Sequence, residues 1–175
     1  MRTTLLRVVA LALLLLLALS GVLVMRTLNR LPDSVVYFVR SEATTMTLEA
    51  VGRRVRGDDA EARLAAALQA LIAGPTPEEE ARGLSSAVPA DTRVLGLSKS
   101  SDLVSVDLST EFEAGGGTAM MIGRLEQFFY TLSQPRDVER VSLLVEGEPV
   151  TVFSSQGLMI ANPWQRPEGE TLPRW

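Results

Sequence analysis

The spacing of apolar residues divides the chain into three regimes. Val8 to Met25 read VVALALLLLLALSGVLVM, eighteen residues without a charge, a length that just crosses a bilayer core as a helix. From Val35 the pattern breaks into short runs of strand length. VVYFV (Val35 to Val39) is β-branched and aromatic, and TMTLEAV (Thr45 to Val51) alternates, so both read as strands. Leu64, Leu68, Leu71 and Ile72 then recur at i, i+4, i+7 and i+8, one apolar face of a helix. Asp58 with Glu61 three residues on predicts a capping box, and Gly74-Pro75 stops the helix. Thr76, Pro77 and Glu79 repeat the capping signature for a short second helix. The run Glu78 to Glu80 needs no metal, because acids favour a helix N-terminus.

TRVLGLS and LVSVDLS read as two further strands paired across the polar turn KSSD. In the second, Val104, Val106 and Leu108 face one way while Ser105 and Asp107 face the other. After Gly115 to Gly117 an amphipathic helix runs from about Thr118 to Ser133, with Met121, Leu125, Phe128, Phe129 and Leu132 on its apolar face, and Pro135 ends it. VERVSLLVEGEPVTVF reads as a hairpin with Gly147-Glu148 as a type II′ turn. From Asn162 the sequence NPWQRPEGETLPRW has three prolines and little periodicity, and reads as a loose extension.

The predicted order is ββαββαββ. Two amphipathic helices need a shared sheet to cover, which gives a two-layer α+β sandwich on one mainly antiparallel or mixed sheet, preceded by an N-terminal membrane helix. The chain accordingly divides into an anchor or signal sequence at 1–30, a linker at 31–34, an α+β domain at 35–161 and a Pro-rich tail at 162–175.

Charge and missing residue types then narrow the function. Arg2 and Arg7 precede the apolar run, Arg26 and Arg30 follow it, and Ala18 and Ser20 would suit cleavage before Gly21. The run continues through GVLVM beyond a usual signal core, so an uncleaved anchor is expected, with a cleaved signal as the alternative. Both place the remainder outside the cytoplasm. After Arg30 stand 13 basic residues against 21 acidic, a net −8, and a domain of that sign is a poor match for nucleic acid. Cysteine and histidine are absent, which removes disulfides, thiolate chemistry, Ser-His-Asp catalysis and histidine-bound zinc. The single lysine, Lys99, lies between Ser98 and Ser100, but neighbours on a strand point to opposite faces, so a Ser-Lys pair is not expected. Arg53, Arg54 and Arg56 read as local charge balance.

The stretch SVDLSTEFEAGGG carries the one acidic cluster that invites a site. Asp107, Ser109, Glu111 and Glu113 alternate like the first half of a calcium loop, yet the glycine and terminal glutamate such a loop needs are not in register, Thr118 standing at the last place. GGGT lacks the Gly-Lys-Ser/Thr of a phosphate loop. The reading is structural: Asp107 and Ser109 end a strand, Phe112 turns inward, and the glycines permit a sharp turn into the second helix.

Taken together, VYFV, ALQALIAGPTPEE with GLSSAVPADTRVLGL, VSVDLSTEF, LEQFFYTLSQ and VERVSLLVEGEPV resemble the GerM domain, named for sporulation and spore germination, from about Val35 to Phe153. The resemblance implies an α+β domain of an exported or lipid-anchored bacterial envelope protein, without an established catalytic centre and with a role in protein assembly. This chain has one copy of the domain and no lipoprotein cysteine, which points back to the hydrophobic helix as the anchor. The expectation is a single-pass protein of the cell membrane with an extracytoplasmic, non-enzymatic domain. No catalytic, cofactor-binding or metal-binding residues are expected. Its partners are the membrane, through the N-terminal helix, and an envelope protein or a second copy. The alternative is a small binding module for a cell-wall fragment or a cation.

Overall fold

The computed structural model describes residues 13–22, 32–41, 46–154 and 157–167, and the chain divides into two units between Pro32 and Asp33. In the first unit a helix, α1, is described over residues 13–22 with its leucines exposed. At 1.5 Å per residue it rises about 15 Å, half of a bilayer core. Among the described residues no helix is long and apolar enough to cross a membrane. The predicted membrane helix is therefore not part of the described fold, and the rest of Val8 to Met25 lies outside the described residues.

The second unit is α+β. Its elements are β1 (Ser34–Ser41), β2 (Met46–Arg53), α2 (Ala60–Ile72), α3 (Pro77–Glu80), β3 (Leu84–Ser85), β4 (Val94–Ser100) and β5 (Leu103–Leu108). A 3-10 turn (Thr110–Glu113) leads to α4 (Thr118–Leu132), followed by β6 (Arg140–Val145), β7 (Glu148–Pro149), β8 (Val152–Phe153), β9 (Leu158–Met159) and β10 (Trp164–Gln165). The apolar periodicities map directly onto burial. Leu64, Leu68, Leu71 and Ile72 of α2 and Met121, Leu125, Phe128, Phe129 and Leu132 of α4 are all buried. So are Val104, Val106 and Leu108 of β5, while Ser105 and Asp107 are half-buried on the other face.

The strands do not share one sheet, as expected from the sequence, but form two sheets and a hairpin. The first has the order β2-β1-β3, the second β10-β6-β5-β4 with β7 paired to β6, and β8 pairs β9. β5 and β6 run parallel, joined by α4 as the crossover, and the remaining neighbours are antiparallel. The reason lies on the inner edge of β1. β3 pairs only with Val39 and Arg40. Beyond it Thr131 Oγ1 accepts the N–H of Tyr37 at 3.2 Å, and Gln127 Nε2 donates to the Tyr37 carbonyl at 2.8 Å. Two side chains of α4 thus satisfy backbone groups that a further strand would otherwise have to pair. Gln127 Oε1 also accepts the N–H of Ala87 at 2.7 Å, fixing the segment before β4 to the same helix.

Three local expectations are corrected. The N-cap of α2 is Asp59, which accepts from Ala62 N at 2.8 Å. Glu61 reaches instead to the outer edge of β4, where its carboxylate accepts the N–H of Lys99 at 2.8 Å. The β6–β7 turn is Glu146-Gly147, one residue earlier than predicted. Val145 pairs Glu148, and both turn residues have positive φ (51° and 84°), as a type I′ turn requires. Finally, the domain does not end at Ala161. Asn162 donates to the carbonyls of Leu143 and Val150 at 2.7 and 2.9 Å and accepts from Leu143 N at 3.2 Å and Ser142 Oγ at 2.7 Å. Its amide stands in for a peptide group on β6. Trp164 and Gln165 then pair with Val141 and Arg140, so the supposed loose tail is a sheet strand through Gln165. Residues 168–175, including Trp175, lie outside the described residues.

Arg53 and Glu79 form a bidentate pair at 2.7 and 2.6 Å, with the guanidinium 5.2 Å from the centre of the Phe38 ring. Glu79 is buried and also completes the predicted capping box with Thr76. The hydrogen bonds from Arg53, offset in part by burial, hold the Glu79 carboxyl below its ordinary range. A depressed folded-state pKa adds stability above the unfolded value of about 4.3 and loses it as pH falls through the folded value. Arg53→Met is therefore expected to cost about 2 kcal/mol near neutrality, less than a fully buried pair. Thermal melts at falling pH should show the difference from wild type closing below about pH 4.

Candidate interaction surface

The acidic stretch does not converge. Asp107 Oδ1 accepts the N–H of Gly147 at 2.9 Å, pinning the β6–β7 turn. Glu146 in that turn accepts the N–H of Thr110 at 3.2 Å in return. Glu113 accepts the N–H of Ser154 at 2.9 Å, where the chain leaves β8 for the loop to β9. Glu111 lies 3.5 Å from Arg93, and the hydrogen bond from Ser109, then the charge of Arg93, keep its carboxyl below the ordinary range. Each acid spends an oxygen on a different element. Among the described residues no group of three or more Asp, Glu, His or Cys could hold a metal ion. Asp107→Asn with Glu111→Gln should change stability modestly, and millimolar calcium should leave the melting temperature of wild type unmoved, since a native-state ligand would raise it.

What holds the glycine-rich turn is Arg124, a residue outside the predicted apolar face. It is 2% exposed and donates to four carbonyls: Ala87 at 2.8 Å, Phe112 at 2.6 Å, Ala114 at 3.0 Å and Gly115 at 3.1 Å. Burial without a carboxylate partner pulls its pKa down. Gly115 and Gly116 have positive φ (64° and 90°), which aims the carbonyls of this turn at the guanidinium at no steric cost. Lys99 is likewise committed to structure. Its ammonium pairs with Asp137 at 2.9 Å and donates to Ser101 O at 2.6 Å, so neither flanking serine is its partner.

The surface that remains available is apolar. A groove of about 300 Å³ runs between α4 (the exposed Ile122, the half-buried Tyr130 and the edge of the core face at Leu125 and Phe129) and the segment Leu158 to Ala161, with Trp164 beside it. Trp164 stacks on Phe129 with ring centres 4.9 Å apart and planes 8° from parallel, and meets Tyr130 edge-on at 5.6 Å. Ile122 is 45% exposed and Met159 87%. On the far side of the helix ridge, Met46 packs over Gly123, where an added Cβ would sit 3.0 Å from its sulfur. Large apolar side chains left in water beside a concave surface mark a contact site. The sequence carries a signal for this, an apolar Ile122 outside a core face that is already complete, whereas Trp164, which borders the other wall, falls in the stretch expected to be a loose extension.

A family model, Germane, described as sporulation and spore germination, matches residues 35–151. Among solved structures, the first GerMN domain of the sporulation protein GerM from Bacillus subtilis aligns over 76% of this chain and 96% of its own, with TM-score 0.60 and 18% identity. The tandem GerMN domains of the same protein align over 77% of this chain and 45% of theirs, with TM-score 0.61 and 20% identity. A Clostridium perfringens protein described as a lipoprotein by inference aligns over 75% and 85%, with TM-score 0.54 and 23% identity. At these identities the likeness is one of fold. A comparison with curated proteins finds no match.

Proposed function

Because the chain belongs to the Germane family of sporulation and spore germination domains, we propose that it is a non-enzymatic assembly module of the cell envelope, held at the extracytoplasmic face by the apolar run Val8 to Met25. The observation that carries this reading is the apolar groove on α4, bordered by the exposed Ile122 and Met159, on a domain whose acidic stretch spends Asp107 and Glu113 on backbone N–H groups and Glu111 on Arg93. The eighteen uncharged residues support the tether, and the lipoprotein neighbour supports an envelope setting. A second reading, binding of a cell-wall fragment, is favoured by one observation: Trp164 and Tyr130 bring aromatic faces to the groove.

A periplasm-active reporter fused after Trp175, together with a photo-reactive amino acid at position 159, tests the proposal in cells. The expected result is reporter activity outside the cytoplasm, an uncleaved chain by mass, and a protein adduct from position 159 that is absent from position 139 on exposed β6-side surface. A cytoplasmic reporter, or adducts with wall fragments in place of protein, would contradict it.

A further inference from the structure

We propose that Met159 is a site of reversible oxidation to the sulfoxide, a modification that makes the lip of the α4 groove polar and leaves the core untouched. Its effect on a bound partner rests on the assembly reading above; the oxidation itself does not. The register of the β8–β9 hairpin holds this side chain in water. Phe153 pairs with Leu158, and Val152 with Met159. Phe153 is fully buried and Leu158 packs against the core, so alternation along the strands turns Val152 and Met159 outward. At 87%, Met159 is the most exposed large apolar side chain among the described residues. The other described methionines are better covered. The Met46 sulfur lies over Gly123, 3.0 Å from where a Cβ would stand, and Met120 packs its Cβ and Cγ against Gly116. These two are 41% and 40% exposed, and Met121 is 2% exposed.

The chemistry needs only approach to sulfur. The chain has no cysteine, so no thiol of its own intercepts a two-electron oxidant before the thioethers. With a peroxide, a sulfur lone pair attacks one oxygen, and the S–O bond forms as the O–O bond breaks. The departing hydroxide takes the proton from the oxygen left on sulfur. The thioether is oxidised by two electrons to the sulfoxide, and the peroxide is reduced to water. The product sets a polar S=O group in a groove wall shared with Ile122, Leu125 and Phe129. An apolar partner face would then have to bury an acceptor without a donor, which weakens the contact. The β8–β9 pairing uses backbone groups alone, so the fold is kept, and a methionine sulfoxide reductase restores the thioether.

The test exposes the full chain, in nanodiscs of saturated neutral phosphatidylcholine, to hydrogen peroxide, with methyl-labelled methionine followed by NMR and Met159 assigned through Met159→Leu. The Met159 methyl is expected to convert at least about threefold faster than those of Met46 and Met120, and at least about tenfold faster than that of Met121. The melting temperature should hold, and a methionine sulfoxide reductase with its reductant should return the signal. In cells carrying a photo-reactive amino acid at position 122, peroxide should lower the protein adduct at least about threefold with Met159 present. In Met159→Leu the yield should stay at that variant's own untreated level. Conversion of Met46, Met120 or Met121 ahead of or together with Met159 would overturn the proposal. So would a melting temperature that falls as Met159 converts, or an adduct that responds to peroxide equally with and without Met159. If position 122 gives no protein adduct in untreated cells, the assembly reading fails, and the order of methyl conversion still decides the oxidation site.

Discussion

Phe128→Ala is expected to lower the unfolding free energy by about 3–5 kcal/mol, a large part of the 5–15 kcal/mol typical of a domain. The side chain is fully buried and its ring lies 5.4 Å from that of Phe112 and 5.3 Å from that of Phe129. Phe112 in turn meets Phe153 at 5.5 Å, and Phe129 carries Trp164. One aromatic chain therefore joins the 3-10 turn, α4, the β8–β9 hairpin and β10. Removing its centre deletes the transfer free energy of the ring and leaves a cavity that a helix wedged against two sheets cannot close. Urea unfolding should show a lowered midpoint at an unchanged slope. Ile122→Ala, on the outer side of the same helix, should stay within about 0.5 kcal/mol of wild type.

Arg124→Met is expected to be comparably damaging, at about 3–5 kcal/mol. The substitution keeps the length of the side chain but strips donors from four carbonyls, those of Ala87, Phe112, Ala114 and Gly115. Each buried acceptor left without a partner costs about 1–3 kcal/mol. Relief from burying a guanidinium that lacks an acid partner offsets part of the sum, and the outermost carbonyl, at Gly115, regains water. Arg124→Lys should recover little, because an ammonium has three donors and no planar fork to span four separated carbonyls. Chemical unfolding of the three proteins side by side checks the order: wild type, then lysine close to methionine.

The same residue shows where reading the sequence succeeds and where it stops. Apolar periodicity located β5 and the core faces of α2 and α4, because a period of 2 or 3.6 is a statement about which side of an element is dry. Arg124, Gln127 and Thr131 form a second buried face on α4 whose partners are backbone groups of Tyr37, Ala87 and the glycine-rich turn. A polar residue's local pattern says nothing of a carbonyl dozens of residues away, so the apolar period gives these three no assignment. Their contacts also decided the sheet count, since β1 is closed by helix side chains. β10 is two residues long, too short to leave a period, and the prolines on either side, Pro163 and Pro167, suggest a loose tail. Gly147-Glu148 suits a type II′ turn because glycine stands first, yet the pairing of Val145 with Glu148 leaves Glu146 and Gly147 between the strands. The acidic stretch was read as structural from its failed motif spacing. Its oxygens bond N–H groups of Gly147 and Ser154, partners the spacing could not name. Of the candidate surface, only the α4 side was legible.

On the proposed function, this domain works through the apolar groove on α4 while its acidic turn serves the fold. The most direct measurement is the yield of the protein adduct from position 159 in cells, compared between Ile122→Lys and the pair Asp107→Asn with Glu111→Gln, each verified as folded by its melting temperature. The adduct should be lost in Ile122→Lys and kept in the acidic-turn variant. An adduct that survives Ile122→Lys and disappears when the acids are neutralised would contradict it.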